Sequence, residues 1–405
     1  MAGKTRTVTA FLNDSQFRGI LFQILLAVGL VLCGKWLMDN TLQNLANQGK
    51  SLGFDFLTST AGFQIIPTLG TWLFDYEVGV STYLDVYFIG IVNTFVVAIL
   101  GIVAATVLGF TIGIMRLSDN LVFRGFATIY IELLRNIPLL LQLFFWYFAV
   151  LRAMPGKRDR IELIDGVIGL NITGLYLPAP MADADFIYSV FAVLVALGIT
   201  LTVRLYAIKR QADTGQALPM FWIGLGIMTI LPMIVFYASG SPLEWSLPEF
   251  KDTGPKLRQG YQDGAGMLLV PEMLSVWLAL SLYTAAFIAE IVRAGILAVN
   301  RGQTEASYAL GLRPNITLRL VIIPQAMRVI IPPLTSQYLN LTKNSSLAVA
   351  IAYPELVSVF AGTALNQVGK EIEMIFMMMM VYLTFSLLTA AFMNWFNSRV
   401  KLVER

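Results

Sequence analysis

Long apolar runs dominate this chain and restrict what it can fold into. Seven runs are long enough to cross a bilayer, which takes about 20 apolar residues; they lie at about 19–38, 86–115, 125–151, 186–205, 218–238, 272–297 and 374–397. A weaker, proline-interrupted run lies at about 326–342. Only 13% of the 405 residues are charged, about half the share that soluble domains carry. We therefore predict an all-α integral membrane protein with about eight transmembrane helices.

The positions of the basic residues predict which helix ends face the cytoplasm. If the N-terminus is cytoplasmic, every cytoplasmic segment carries arginine or lysine, and the C-terminus is cytoplasmic too. These residues are Lys4, Arg6, Arg18, Arg116, Arg124, Lys209, Arg210, Arg301, Arg313, Arg319, Arg328, Arg399, Lys401 and Arg405. The external loop 152–185 opposes this assignment, because it holds four basic residues of its own. The first run is too long for a signal-peptide core and no small-residue cleavage site follows it, so we expect a retained span.

Several classes of site are disfavoured by the residue content. The chain has no histidine and one cysteine, Cys33, inside an apolar run, which excludes structural disulfides and argues against zinc. The stretch GLVLCGKW at 29–36 has the glycine and lysine spacing of a phosphate-binding loop, but Trp36 replaces the required Ser or Thr. We expect no cofactor, no metal, no nucleic-acid motif and no catalytic site, since a Ser–His dyad is unavailable.

A patterned polar segment, EASYALGLRPNITLRLVIIPQAMR at 305–328, interrupts the apolar runs. The stretch from Glu305 to Leu310 favours a short helix, which Gly311 would end. Pro314 allows a second helix to start, and Pro324 would disturb that helix. The pattern predicts a cytoplasmic helix–turn–helix hairpin. An amphipathic helix lying on lipid headgroups is the alternative.

The spacing in this segment resembles the EAA loop of ATP-binding-cassette (ABC) importer permeases, which reads E-A-A, three residues, Gly, nine residues, I-x-L-P. The matching residues are Glu305, Ala306, Ser307, Gly311, Val321, Ile323 and Pro324. The resemblance implies that the first short helix docks on a cytoplasmic ATPase and transmits its movement. ATP would then be bound by that partner and not by this chain.

Three further stretches resemble signatures of polar amino-acid permeases of the HisMQ subfamily. They are YIELLRNIPLLLQLFFWYF at 130–148, LSLYTAAFIAEIVRAGI at 280–296 and IIPPLTSQYLNLTKNSSL at 330–347. Without residues 1–85 and 154–265 the chain would be about as long as a minimal permease. The layout resembles the long permease subunits of Aap/Bzt-type general L-amino acid systems of Gram-negative bacteria.

This resemblance implies a type I ABC importer transmembrane domain at 86–398, with an inserted helix pair in 154–265. Residues 1–85 would form a tail, an extra N-terminal helix and a periplasmic loop, and 399–405 a cytoplasmic tail. The implied partners are two copies of an ATPase, a second homologous permease, and a periplasmic amino-acid-binding protein that delivers an L-amino acid to the bacterial inner membrane. The alternative is a secondary transporter or channel that works without ATP.

Ionisable and polar residues within the predicted spans are candidates for the translocation path, because such groups are costly in lipid. Glu132 and Arg135 share a helix face, since they are three residues apart, and Asn136 follows them. They either line the path or join helices as an ion pair. A second polar group on another span consists of Asn340, Lys343 and Asn344. Lys343 either meets a substrate carboxylate or reaches the headgroups.

Two other features have both a structural and a functional interpretation. Glu290 and Arg293, near the end of the sixth span, form a gate or a structural pair. Gly101, Ala105, Gly109 and Gly113 recur every four residues, a stripe that lets helices pack closely. That stripe lies either inside the subunit or at an interface between permeases.

Overall fold

The computed structural model describes residues 15–47, 49, 52–262 and 264–400, so Lys4, Arg6, Lys401 and Arg405 lie outside it. The helices are α1 Ser15–Asn47, α2 Leu69–Leu73, α3 Tyr83–Arg116, α4 Leu121–Asn136, α5 Leu139–Phe144, α6 Phe186–Thr214, α7 Met220–Ala238, α8 Pro271–Leu297, α9 Arg301–Ala309, α10 Pro314–Thr317, α11 Ile323–Asn344, α12 Leu365–Val368 and α13 Glu371–Val400. Short 3₁₀ or π segments extend several of them, at Phe145–Val150, Leu151–Ala153, Leu318–Ile322, Ser345–Ile351 and Val357–Ala364.

Within the described residues, seven helical stretches are long and apolar enough to cross a membrane, which confirms the predicted helical membrane fold. An eighth crossing is possible only as a bent pair, because α4 and the stretch Leu139–Ala153 meet at 106°. The apolar run at 125–151 is therefore not one straight helix. Pro138 has no N–H for the helix ladder and forces the preceding residue out of helical geometry, and Ile137 is indeed extended at φ −97° and ψ 127°.

The core of the membrane domain is built on α3 and α8, which pack closely because glycines line their contact. A Cβ on Gly109 would lie 2.6 Å from Cβ of Ile288, and one on Gly113 would lie 2.6 Å from the carbonyl oxygen of Ala289. Helix α11 packs on α8 and α13, and its Leu341 side chain lies on Gly101. The predicted small-residue stripe thus packs inside the subunit.

A second buried cluster joins the first half of α3 to the segment after α11 and to α13. It includes Phe56, Tyr83, Leu356, Phe360 and Met374. Asn93 on α3 donates to the carbonyl oxygen of Pro354 at 2.8 Å. These contacts hold the 352–364 segment against α3.

The inserted region 154–265 contains the predicted helix pair, α6 and α7, which pack on each other. It also contains short strands that the sequence analysis did not predict: β1 Ile161–Ile164, β2 Ile168–Asn171, β3 Gly174–Leu177, β4 Ala179–Ala182, β5 Leu243–Ser246, β6 Phe250–Lys251 and β7 Gly260–Tyr261, with β8 Met267–Leu269 just after it. They form an antiparallel sheet in the order β1-β2-β3-β8 and the pairs β4-β5 and β6-β7. Because β8 immediately precedes α8, this β module lies at the start of the core helix.

Candidate functional site

The predicted hairpin forms around α9, and its local geometry explains why the helix stops. Asn300 caps the start of α9, since its side chain accepts the N–H of Gly302 at 2.8 Å. At the other end Gly311 has φ +74°, and two bonds close the helix: Gly311 N–H to Tyr308 O at 2.9 Å and Leu312 N–H to Ser307 O at 3.1 Å. This pair of bonds is the Schellman motif, which favours glycine at the left-handed position.

The predicted coupling residues divide between two faces of this hairpin. Glu305 and Ala306 are exposed, and a side chain on Gly311 would meet open space. Ser307 is buried at 4% exposure and donates to Gln303 O at 2.7 Å, so it faces inward and cannot contribute to an exposed docking surface. Pro324 lies in the first turn of α11, directly after the π segment Leu318–Ile322.

Two exposed apolar side chains on the same hairpin were missed by the sequence reasoning. Tyr308 is 49% exposed and Leu310 is 80% exposed. The sequence could have indicated them, because both lie within three residues of Gly311. The chain turns at that glycine, and both side chains stay uncovered. The exposed surface of the hairpin therefore carries an acid and two large apolar groups, as a protein-docking surface would.

A cluster of charged side chains lies where α3, α4 and α8 meet. The guanidinium of Arg116 forms ion pairs with the carboxylate of Glu290 on α8 and, at 3.4 Å, with Glu132 Oε1 on α4. Arg293 Nη2 lies 2.6 Å from Glu290 Oε1, so the predicted Glu290–Arg293 contact is present. Whether this pair is a gate or a structural contact stays a prediction.

Glu132 and Arg135 share a helix face but make different contacts in the described structure. Glu132 turns to Arg116, and the guanidinium of Arg135 lies 5.2 Å from the ring centroid of Phe287. Asn136 donates to the carbonyl oxygen of Glu132 at 2.7 Å. A shared helix face permits an ion pair but does not require one, because a partner on another helix can compete for the same carboxylate.

The two groups of candidate path residues are not brought together within this chain. Glu132, Arg135 and Asn136 are exposed on α4, which packs on α3 and α8. On α11, which packs mainly on α8 and α13, Asn340 and Lys343 are exposed while Asn344 is half-buried. The two groups therefore flank α8.

The break between α4 and α5 is held by Gln142, a residue that the sequence reasoning did not single out. Its Nε2 donates to the carbonyl oxygens of Leu134 at 2.8 Å and Ile137 at 2.9 Å, and the residue is buried at 4% exposure. The sequence could have indicated this role, because Gln142 is a single amide side chain in an apolar run, four residues after Pro138. The bonds satisfy carbonyl groups that the break would otherwise leave without donors.

The family model described as binding-protein-dependent transport system inner membrane component matches residues 194–402. This chain belongs to that family. The permease is 49% identical to the putative amino-acid ABC transporter permease protein YhdX of Escherichia coli, over 100% of both chains. It is 46% identical to the general L-amino acid transport system permease protein AapQ of Rhizobium johnstonii, over 97% of this chain and 94% of that one.

A third relative is the glutamate/glutamine/aspartate/asparagine transport system permease protein BztB of Rhodobacter capsulatus, 37% identical over 98% of this chain and 97% of that one. These matches bear out the expected resemblance to Aap/Bzt-type permeases. The permease is thus a multi-pass inner-membrane subunit of an ABC importer. Permeases of this family work with an ATPase and with a binding protein.

Proposed function

We propose that this permease carries L-amino acids into the cell and that a separate ATPase drives it through α9. The observation that carries the coupling role is the exposure of Glu305, Tyr308 and Leu310 on a short helical hairpin closed by Gly311. An amino-acid substrate is supported by the names of the relatives that match this chain along nearly its whole length. ATP is bound by the partner.

The assembly proposed for the permease has four further subunits. They are two copies of the ATPase, a second permease homologous to this one, and a periplasmic amino-acid-binding protein. Both termini lie in the cytoplasm, on the side of α9. The basic residues near the helix ends support this orientation.

The translocation path is proposed to run along the face that α4 and α11 present to the second permease. Polar groups at membrane depth do not face lipid without a large cost. The exposed side chains of Glu132, Arg135, Asn340 and Lys343 therefore need a cavity or another subunit beside them. Asn136 and Asn344 border the same two patches.

The test begins by purifying the tagged permease gently from native membranes and identifying what accompanies it. We expect an ATPase and a second permease, and the reconstituted complex should import amino acids only with ATP and binding protein. Glu305→Lys and Gly311→Pro should abolish uptake without preventing membrane insertion, whereas Asp213→Lys, an exposed acid on α6, should leave uptake unchanged. Normal uptake by both hairpin variants would refute the coupling role.

The competing function is an ATP-independent secondary transporter or channel, which the charged residues at membrane depth favour. Under this function, the permease would purify without partner subunits and would move amino acids into liposomes without ATP.

A further inference from the structure

Arg116 forms ion pairs with two carboxylates that lie on different helices. It is the last residue of α3, and its guanidinium reaches Glu290 on α8 and Glu132 on α4. We propose that Arg116 is a positioning residue that passes the movement of α9 to the broken third span. This inference rests on the proposed function, because it assumes that an ATPase moves α9.

The first step links α9 to Glu290. Helix α8 ends at Leu297 and α9 begins at Arg301, so Glu290 lies about 10 Å along the helix from the end of α8. The contact of α8 with α11 is tight: a Cβ on Gly295 would lie 2.3 Å from Cγ1 of Ile330.

Helix α9 contacts α10 and the π segment Leu318–Ile322, which lead into α11, and an exposed 3.2 Å bond joins the side chains of Gln325 and Gln303. Close-packed contacts transmit displacement because packed interiors are not easily compressed. The last turns of α8, the start of α11 and α9 are therefore expected to move as one unit.

The second step links Glu290 to α4. Arg116 lies at the end of α3 beside the last turns of α8, because the neighbouring Gly113 packs on Ala289 and Val292. A planar guanidinium offers donors in two directions, so it can hold two carboxylates at once, whereas a lysine ammonium holds them less rigidly. Helix α4 also packs on α3 and α8 through a buried apolar cluster, and its Tyr130 hydroxyl donates to Leu282 O at 2.9 Å.

Besides this packing, Tyr130 and Glu132 give α4 two neighbouring polar contacts with the core. Glu132 lies only five residues before Ile137, where the third span breaks. A shift of Glu290 that altered the Arg116 contacts would turn α4 about the Tyr130 contact. The break and the exposed path residues of α4 would turn with it.

Arg293 provides a matched comparison. It also donates to the Glu290 carboxylate, at 2.6 Å from Nη2, but it lies three residues away on the same helix. Both arginines neutralise Glu290, but of the two arginines Arg116 is the one that links this carboxylate to other helices. If Arg116 only neutralised the charge of Glu290, removing Arg116 or Arg293 would change transport equally.

The experiment compares Arg116→Gln with Arg293→Gln in the complete complex, reconstituted in liposomes with ATPase and binding protein. The quantity measured is the number of ATP molecules hydrolysed per amino acid imported. We expect Arg116→Gln to raise this ratio about fivefold or more, the range of a coupling interaction. Arg293→Gln should leave the ratio within about twofold of the wild type, as expected for a partly exposed pair on one helix.

Glu132→Gln keeps the experiment decisive if Arg116→Gln does not assemble, because glutamine keeps the size of the Glu132 side chain and removes only the charge that pairs with Arg116. It removes only the tie to α4 and should raise the ratio in the same direction, by less. The inference is overturned if hydrolysis and uptake fall in proportion in these variants, or if Arg293→Gln raises the ratio as much. Failure of the proposed function would instead appear in the wild type, as absence of ATP-dependent uptake.

Discussion

Gln142 donates its side-chain amide to the carbonyl oxygen of Leu134, eight residues earlier across the break in the third span, at 2.8 Å. In a continuous helix that carbonyl would accept the N–H of the residue four positions later, which is Pro138 and has none. The Gln142 amide thus takes the place of the missing backbone donor. It also bonds Ile137 O at 2.9 Å, so one side chain holds both sides of the break.

We expect Gln142→Met to lower the stability of the permease by about 2 kcal/mol or more. Methionine keeps the size of the side chain but leaves two carbonyls without donors, and a buried polar group left unpaired costs about 1–3 kcal/mol. The measurement is thermal unfolding of the purified permease in one detergent. Gln211→Met, at an exposed position on α6, is the control. Equal melting temperatures for both variants would contradict the role given to Gln142.

The break illustrates how far local sequence signals extend. Gly311 and Pro314 predicted the hairpin because their effects act within a few residues, and Pro138 frees the Leu134 carbonyl by an equally local effect. The 106° angle was not predictable in the same way, since it depends on how α5 packs on α8. The apolar run at 125–151 is continuous, and hydropathy alone does not distinguish a straight span from a bent one.

Long-range pairings were the least predictable part of the candidate site. Arg116 is separated from Glu132 by 16 residues and from Glu290 by 174 residues. Spacing within one helix placed Arg135 beside Glu132, whereas the fold brings Arg116 from another helix to the Glu132 carboxylate. The strands of the insertion were missed for another reason: at two to four residues each, they are too short to show an alternating pattern.

Gly113→Ala should separate α3 from α8 and destabilise the core. The added Cβ would lie 2.6 Å from Ala289 O and 2.9 Å from Cβ of Val292, and a backbone oxygen cannot move aside alone. Inserting a methyl group into a packed interior costs about 1–3 kcal/mol. Thermal unfolding measures the loss. Gly125→Ala on α4 is the control, because its Cβ would meet nothing within 4 Å, and a variant as stable as that control would disprove the close contact.

Glu355 should make the stability of the permease depend on pH. The residue is 1% exposed. Its carboxylate accepts the N–H groups of Val357 at 2.9 Å and Ser358 at 2.8 Å and the hydroxyl of Tyr382 at 3.1 Å. Burial raises the pKa of Glu355 to about 7 despite these bonds. Burial also raises the pKa of the neighbouring Tyr353 phenol, so that group stays neutral over the same pH range.

Because the folded-state pKa of Glu355 is raised, the folded protein prefers the protonated carboxyl more than the unfolded chain does. The stabilisation is fully present below about pH 4 and is lost as the pH rises through about 7. Between pH 5.5 and 8 the wild type should lose about 2 kcal/mol through this group. The check is to compare melting temperatures at the two pH values in the wild type and in Glu355→Gln, which cannot titrate. The same pH dependence in both proteins would exclude Glu355 as the source.

Gly169→Ala should loosen the β module of the insertion while leaving the helices intact. Tyr261 lies directly over Gly169 of β2, and an added Cβ would come within 1.5 Å of its hydroxyl oxygen. The ring of Tyr261 stacks on Tyr176 at 3.8 Å between centroids, so it cannot withdraw without losing that contact. Since β7 carries Tyr261, displacing the ring would detach the β6-β7 pair from the four-stranded sheet.

The measurement is the rate at which a protease cuts the insertion in the intact permease. Gly169→Ala should raise this rate about tenfold, because a loss of about 1.4 kcal/mol in local stability raises the open population by that factor. Gly156→Ala serves as the control, since its Cβ would meet nothing within 4 Å. An unchanged rate of proteolysis in Gly169→Ala would mean that Tyr261 does not hold the β6-β7 pair on the four-stranded sheet. Faster cutting with unchanged melting of the helices would show that the module opens independently of the membrane core.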